Sequence, residues 1–408
     1  MKKILIFTVL GALILTGLEA QTGGKTLYVA VKSAPVKASA DIFAETKGNL
    51  AQGQAVTVVS ENAKWTQVRV VSPALAGWIS TTSLTSRRPT SSGNRVNTGE
   101  LALAGKGLSF SSEMEQAYKS DQKLSYDAID RMEAQNVDGR ELLKFITDGK
   151  LNRGDKPGSA YSLQQPVNDM YDEITMEEAY YMGRTVGARV LSAYKIYTNA
   201  ALTAYLNNIC QTIVINSPRP LLFNGYHVLI LDTPEINALA TPGGHIFISR
   251  GLVEAATSED MLAAVIAHEI SHIQLEHGLE SVKLFRLTEN AADARRSGIA
   301  LQGKQDDPKI LFMQTIAESV DTLTHTGYSR EQEFEADAKA ADLLVLAGYQ
   351  PSGLLDLLKI LPRSGSGGWY STHPAPSARI SAVEGIVPAT WVRQNNNAAV
   401  RAARFRTK

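Results

Sequence analysis

The stretch MLAAVIAHEISHIQLEHG, residues 261–278, places two histidines and a glutamate inside an otherwise apolar segment. Ser258 is a good N-cap, and the apolar spacing after it predicts a helix. At about 100° per residue, His268 and His272 leave the same face of this helix, so their nitrogens can hold one tetrahedral ion. Glu269 points to the side of the pair, where a base that acts on water would lie. Because unpartnered polar groups are costly in apolar surroundings, the stretch predicts a metal site.

A catalytic zinc site needs three protein ligands and one open position. The arrangement HExxHxxGxxH would supply a third histidine, but Leu275 and Gly278 stand where it requires glycine and histidine. His277 lies about half a turn from His268, on the opposite helix face, which predicts a surface residue. The third ligand is therefore expected to be a carboxylate farther along the chain.

The segment GYSREQEFEADAKAADLLVLAGY, residues 327–349, predicts a second helix that begins after Ser329 and ends at Gly348. One stripe of it combines two carboxylates with small residues that would allow a close approach to the first helix: Glu333, Asp337, Ala340, Ala341 and Leu344. On this stripe Glu333 is the candidate ligand, and Asp337 is the candidate acceptor for the second N–H of an imidazole. Periodicity alone leaves open the alternative that the carboxylates form a charged outer face.

Four blocks of sequence together resemble the gluzincin family of zinc metalloendopeptidases, which contains the CaaX prenyl endopeptidases, the heat-shock membrane protease HtpX and the periplasmic protease and chaperone BepA. They are NALATPGGHIFISRGLV, HEISH, EFEAD and STHPAPSARI, and the resemblance is strongest over residues 170–390. It implies one zinc ion per chain, bound by His268, His272 and Glu333. Glu269 would be the general base and Asp337 would support an imidazole ligand.

The same resemblance gives a function to two residues near the end of the chain. It implies that His373 either stabilises the oxyanion or occupies the open zinc position as a fourth ligand, and that Arg379 helps to order the site. Locally, His373 followed by Pro374 is also typical of a simple turn. The glycine turn and strand of residues 243–249 predict an edge strand, with Gly244, His245 and Ile246 aligning an extended substrate, although an ordinary core strand would show the same pattern.

The chain divides into segments of different composition. Residues 26–86 consist of short β-branched runs and resemble a bacterial SH3-type domain, in which Trp65 and Trp78 either fill the core or line a groove for a cell-wall or protein ligand. Residues 87–105 have linker composition, 106–390 are the predicted metalloprotease domain, and 391–408 form a basic C-terminal tail. The expected fold class is α+β, with a small all-β SH3-like barrel before a mainly helical zincin-type domain that has a small β-sheet.

Residues 1–20 combine two lysines, an apolar run and a final small residue, which predicts a signal peptide and favours it over a retained anchor. No later run is long and apolar enough to span a membrane, so a mature chain without a membrane span is expected in the periplasm or outside a bacterial cell. The 41 basic and 41 acidic residues argue against a nucleic-acid partner. Cys210 is the only cysteine, which excludes an intramolecular disulfide and predicts a buried thiol.

These features predict a zinc-dependent endopeptidase that cleaves protein or peptide substrates in the cell envelope, in protein quality control. A chaperone-like or binding protein with a latent zinc site would have the same sequence features. A cell-wall peptide hydrolase directed by the SH3-like domain is a third alternative.

Overall fold

The computed structural model describes ten segments of the chain, namely residues 24–62, 64–89, 111–112, 115–116, 119, 124–154, 174–280, 327–361, 376–386 and 397–406. The predicted signal peptide, most of the predicted linker and His373 lie outside the described residues. The described part is α+β, with a seven-stranded antiparallel sheet before a mainly helical region that contains a second, small sheet. The predicted fold class is confirmed.

The N-terminal sheet has the strand order β3-β2-β6-β5-β4-β1-β7. Its strands are β1 Thr26–Val29, β2 Ser33–Lys37, β3 Thr46–Ala51, β4 Ala55–Glu61, β5 Trp65–Val70, β6 Leu75–Ser80 and β7 Leu84–Thr85. In β5 and β6, Val68 and Ile79 are fully buried, while Trp65 and Trp78 are half-buried. Since side chains alternate between the two faces of a strand, both tryptophans stand on the face opposite the apolar core.

Residues from the helical region complete the core of this N-terminal sheet. Met176, Tyr180 and Phe223 are buried against its valines and leucines. The backbone N–H of Lys32 donates to the carbonyl of Phe223 at 2.8 Å. The β-rich segment is therefore packed directly onto the helical region.

The helices are α1 Tyr126–Glu133, α2 Gly139–Asp148, α3 Met176–Ala193, α4 Ala200–Asn216, α5 Arg250–Ala255, α6 Glu259–Gln274, α7 Arg330–Ala347, α8 Ser352–Ile360, α9 Pro376–Ile386 and α10 Ala398–Phe405. Between α4 and α6 lies a three-stranded sheet, formed by β8 His227–Leu231, β9 Ala238–Thr241 and β10 His245–Ser249. Of the helices in the described segments, none is both long and apolar enough to cross a membrane.

The small sheet has the order β8-β10-β9, which corrects the prediction that residues 244–246 form an edge strand. Strand β10 pairs in parallel with β8 along its whole length and antiparallel with β9 from His245 to Ile248. All five of its residues are buried, as is typical of a central strand. The apolar pattern HIFIS could not distinguish a central strand from an edge, because both bury at least one face.

The outer edge of β8 is closed by side chains of α4 and a short neighbouring segment. The Asn207 amide donates to the carbonyl of Val228 and accepts from its N–H, both at 2.9 Å. The N–H of Tyr197 donates to the carbonyl of Ile230 at 2.9 Å. Strand β9, in contrast, has a single partner strand among the described residues.

Helix α6 is the centre of the helical region, since every one of its residues is buried. Ser258 caps its first turn by accepting from the N–H of Met261 at 3.1 Å. Helix α7 packs against it through small residues, with Ala336, Ala340 and Ala341 all buried. Small side chains let the two helix axes approach closely, and this brings the carboxylates of α7 to the histidines of α6.

Helix α10, within the predicted basic tail, binds the first turn of α6. Arg401 is fully buried and donates to Asp260 at 2.7 Å, while Arg404 forms an ion pair with Glu259. The guanidinium of Arg401 also lies over the ring of Tyr349, 5.4 Å from its centroid. The two carboxylates therefore neutralise one buried and one half-buried arginine, and they also interact favourably with the helix dipole at its N-terminal end.

Candidate metal centre

Helices α6 and α7 bring His268, His272 and Glu333 together in the interior of the helical region. Both imidazoles leave one face of α6, and their Nε2 atoms are 3.1 Å apart. Glu333 reaches them from the first turn of α7, with Oε1 at 3.4 Å from Nε2 of His272 and Oε2 at 3.5 Å from Nε2 of His268. All three side chains are buried. Glu333 therefore faces the interior and does not belong to a charged outer face of its helix, which was the alternative left open by the sequence.

These separations fit a single tetrahedral metal ion. Metal–ligand bonds of about 2.05 Å at tetrahedral angles place the ligand atoms about 3.3 Å from each other. The distance between the two Nε2 atoms is 3.1 Å, and each Nε2 has one Glu333 oxygen at 3.4 or 3.5 Å, a different oxygen for each ring, so all these contacts are close to that value. Among the described residues, these three are the group of histidines and acidic side chains that could hold a metal ion.

Asp337 and Arg379 surround the candidate ligand side chains. Nδ1 of His268, on the far side of the ring from Nε2, lies 3.1 Å from Oδ1 of Asp337. Arg379, from α9, is fully buried and donates through Nε and Nη2 to the two oxygens of Asp337, each at 2.7 Å. Its Nη1 is 2.8 Å from Oε2 of Glu333. Asp337 thus orients one imidazole, and Arg379 fixes both carboxylates.

Glu269 is buried beside the ligand set, and its Oε1 has no hydrogen-bond partner among the described residues. Burial raises the pKa of Glu269 to about 7, an effect that the carboxylate of Glu333 increases and that His268 and Arg379 oppose. A carboxylate with a pKa near neutrality can accept a proton and then release it.

The charge of the site also fits a divalent cation. Three buried carboxylates, Glu269, Glu333 and Asp337, face one guanidinium, so two negative charges remain when all three carboxylates are ionised and the imidazoles are neutral. Burial alone would lower the pKa of His268, but hydrogen bonds to Asp337 and Glu333 raise it to about 9. The site therefore favours added positive charge, and its two imidazoles with a carboxylate are ligands that suit zinc.

His277 is not at the surface, which corrects the prediction from helical spacing. Helix α6 ends at Gln274, and Glu276 adopts a left-handed conformation with φ of 63°. This residue turns the chain back, so that Nδ1 of His277 lies 2.8 Å from Nδ1 of His272. The prediction was wrong because it extended the helix past its real end.

A narrow cleft lies against His272. The end of β9 forms one wall, with Ala240, Thr241 and Pro242, and Tyr328 forms part of another. The Tyr328 ring stacks on His272 with centroids 4.1 Å apart and planes 15° apart. Sequence reasoning missed Tyr328, although its position directly before the cap residue Ser329 places it next to the ligand helix.

His245 lies apart from the ligand set as a buried residue of β10. Its Nε2 is 2.8 Å from Oε1 of Glu133, and its ring stacks against His227. Burial alone would raise the pKa of Glu133, but His245 and Arg184 outweigh it and hold the pKa at about 2. The interaction joins β10 to α1.

A helix with HExxH whose histidines meet a glutamate from a second helix is the pattern of a metallopeptidase metal centre. Residues 200–387 match Peptidase family M48. The matched region begins in α4 and includes all the ligand candidates as well as Arg379.

Similar proteins are metalloendopeptidases from mitochondria and a bacterial protease. The mitochondrial metalloendopeptidase OMA1 of Schizosaccharomyces pombe is 26% identical over 236 residues, which are 57% of this chain and 63% of that protein. Human OMA1 is 26% identical over 190 residues, 44% of this chain and 36% of that protein. The beta-barrel assembly-enhancing protease of Escherichia coli K12 is 25% identical over 246 residues, 56% of this chain and 45% of that protein. The matched region thus spans 63% of the yeast protein and less than half of the other two.

Proposed function

We propose that this protein is a zinc-dependent endopeptidase that cleaves internal peptide bonds of protein substrates in the cell envelope, in protein quality control. The observation that carries the proposal is the convergence of His268, His272 and Glu333, with contacts of 3.1–3.5 Å between them, beside the carboxylate of Glu269. The metalloendopeptidase relatives support the reaction class. The predicted signal peptide supports export.

The residues of the site divide the chemistry among them. His268, His272 and Glu333 would hold the zinc ion, which when bound would supply Lewis-acid chemistry for peptide hydrolysis. Glu269 takes a proton from the attacking water and passes it to the leaving amine. Asp337 and Arg379 hold their partners in place throughout, because both are buried and joined by two hydrogen bonds. His373, which lies outside the described residues, remains a candidate for stabilising the oxyanion.

The substrate would lie along β9. The sequence pattern alone favours residues 244–246, at the start of β10, for this contact. The far end of β9 forms the wall of the cleft that contains His272. An extended peptide that adds to a strand edge gains backbone hydrogen bonds that do not depend on its sequence. Such binding suits an enzyme that acts on unfolded segments of many proteins.

Metal removal tests this function directly. Purified full-length protein is expected to cleave casein, to lose this activity with a zinc chelator, and to recover it when Zn²⁺ is added in excess. The measurement is the rate of peptide release. Cleavage that is unaffected by chelation would contradict the proposal. A lack of cleavage by zinc-loaded protein that still suppresses aggregation would support the chaperone-like alternative instead.

A further inference from the structure

The two imidazoles of the candidate metal centre have different outer partners. Nδ1 of His268 faces a carboxylate, that of Asp337, at 3.1 Å. Nδ1 of His272 faces another imidazole, that of His277, at 2.8 Å. Metal-binding histidines usually donate their second N–H to a carboxylate, a carbonyl or water, so an imidazole in this place requires an explanation.

The backbone turn after α6 holds His277 in this position. Glu276 has φ of 63° and ψ of 25°, a left-handed conformation that a residue with a side chain adopts only when its surroundings enforce it. Arg219 provides such a constraint, because its Nη1 donates to the carbonyl of Gln274 at 2.8 Å and lies 3.4 Å from Oε1 of Glu276. The His277 side chain is 5% exposed as a result.

The hydrogen bond between the two rings fixes where their protons lie. A separation of 2.8 Å between two ring nitrogens accommodates one proton, so one ring donates and the other accepts. If Nε2 of a neutral His272 binds the metal, its proton must be on Nδ1, and His272 is the donor. His277 then accepts at Nδ1 and carries its own proton on Nε2, which faces Oε2 of Glu335 at 3.3 Å.

Tyr328 completes this arrangement by covering one face of His272. The ring is thus held by a stacked phenol and by a hydrogen bond at Nδ1, both independent of the metal. Glu335 is two residues from the ligand Glu333 on α7, and its side chain is 65% exposed. The outer carboxylate therefore stands in solvent, and the imidazole of His277 connects it to the buried ligand.

We propose that His277, supported by Glu335, is a positioning residue that sets the tautomer and the ring orientation of His272 for metal binding. The inference rests on the proposed zinc centre and adds to it a role for two residues outside the HExxH and glutamate ligand set. Loss of such an outer partner weakens metal binding by about 10- to 100-fold. His277 would orient the ring of His272, as Asp337 orients the ring of His268.

The test compares two amides at position 277 in the full-length protein. In His277→Asn the side-chain oxygen stands close to the place of Nδ1 and can accept from His272, whereas in His277→Gln it stands near the place of Nε2. The dissociation constant for Zn²⁺ is measured by competition with a chromophoric chelator, and unfolding of the metal-free protein is measured in parallel. His277→Gln is expected to weaken zinc binding about 10- to 100-fold, and His277→Asn to remain within a few-fold of wild type.

Two further variants complete the test. Glu335→Gln is expected to weaken zinc binding only a few-fold, because the exposed side chain keeps an acceptor oxygen. His227→Gln, at a buried histidine of β8 that stacks on His245, is the matched control and is expected to leave zinc binding unchanged. Equal zinc affinity of the Asn and Gln variants at position 277 would overturn the inference. Failure of wild-type protein to bind zinc would instead refute the metal centre itself.

Discussion

Glu269→Gln protein is expected to bind one zinc ion per chain and to cleave casein at least about 100-fold more slowly than wild type. The amide has nearly the same shape as the carboxylate but cannot accept the proton of the attacking water. Glu269 lies outside the ligand set, so its replacement leaves His268, His272 and Glu333 in place. The measurements are the initial rate of cleavage and the zinc content of the purified protein.

The matched control for this substitution is Glu331→Gln. Glu331 is an exposed residue in the first turn of α7. Its replacement removes the same charge as Glu269→Gln, but at a position that takes no part in the proposed proton transfer. Its activity is expected to equal that of wild type. Undiminished cleavage by the Glu269→Gln protein, with the host's own proteases excluded, would show that Glu269 is not the base.

Arg401→Met protein is expected to lose about 3–5 kcal/mol of unfolding free energy, measured by urea denaturation of the full-length protein. Arg401 is fully buried, and its Nη2 donates to Oδ1 of Asp260 at 2.7 Å. Methionine fills similar space but leaves the buried carboxylate without its cation. Because Asp260 belongs to the first turn of α6, this loss destabilises the helix that carries His268 and His272.

Arg406→Met is the control for charge and helix position, since Arg406 is exposed at the end of α10. Its unfolding free energy is expected to stay within about 0.5 kcal/mol of wild type. The double variant Asp260→Asn with Arg401→Met measures the coupling between the two side chains. Equal, small effects of Arg401→Met and Arg406→Met would show that α10 is not required for the stability of the helical region.

Local patterns in the sequence were sufficient for much of the ligand geometry. The N-cap at Ser258, the capping box of Ser329 and the left-handed end at Gly348 are all present in the structure. They depend on hydrogen bonds within a few residues, which a sequence displays directly. The position of His268 and His272 on the same face of α6 also follows from helix geometry alone.

Features that depend on the pairing of distant segments were harder to predict. The position of β10 inside its sheet depends on β8 and β9, which its own pattern does not reveal. The approach of His277 to His272 depends on a single left-handed residue, Glu276, whose side chain gives no sign of it. The burial of Arg401 likewise depends on a carboxylate 141 residues earlier in the chain.

The location of the metal ion tests the central claim most directly. Crystals of zinc-loaded full-length protein, measured on both sides of the zinc absorption edge, are expected to show one anomalous peak about 2.0–2.2 Å from Nε2 of His268, Nε2 of His272 and a carboxylate oxygen of Glu333. A zinc ion bound elsewhere in the chain, while these three side chains contact only one another, would contradict the account.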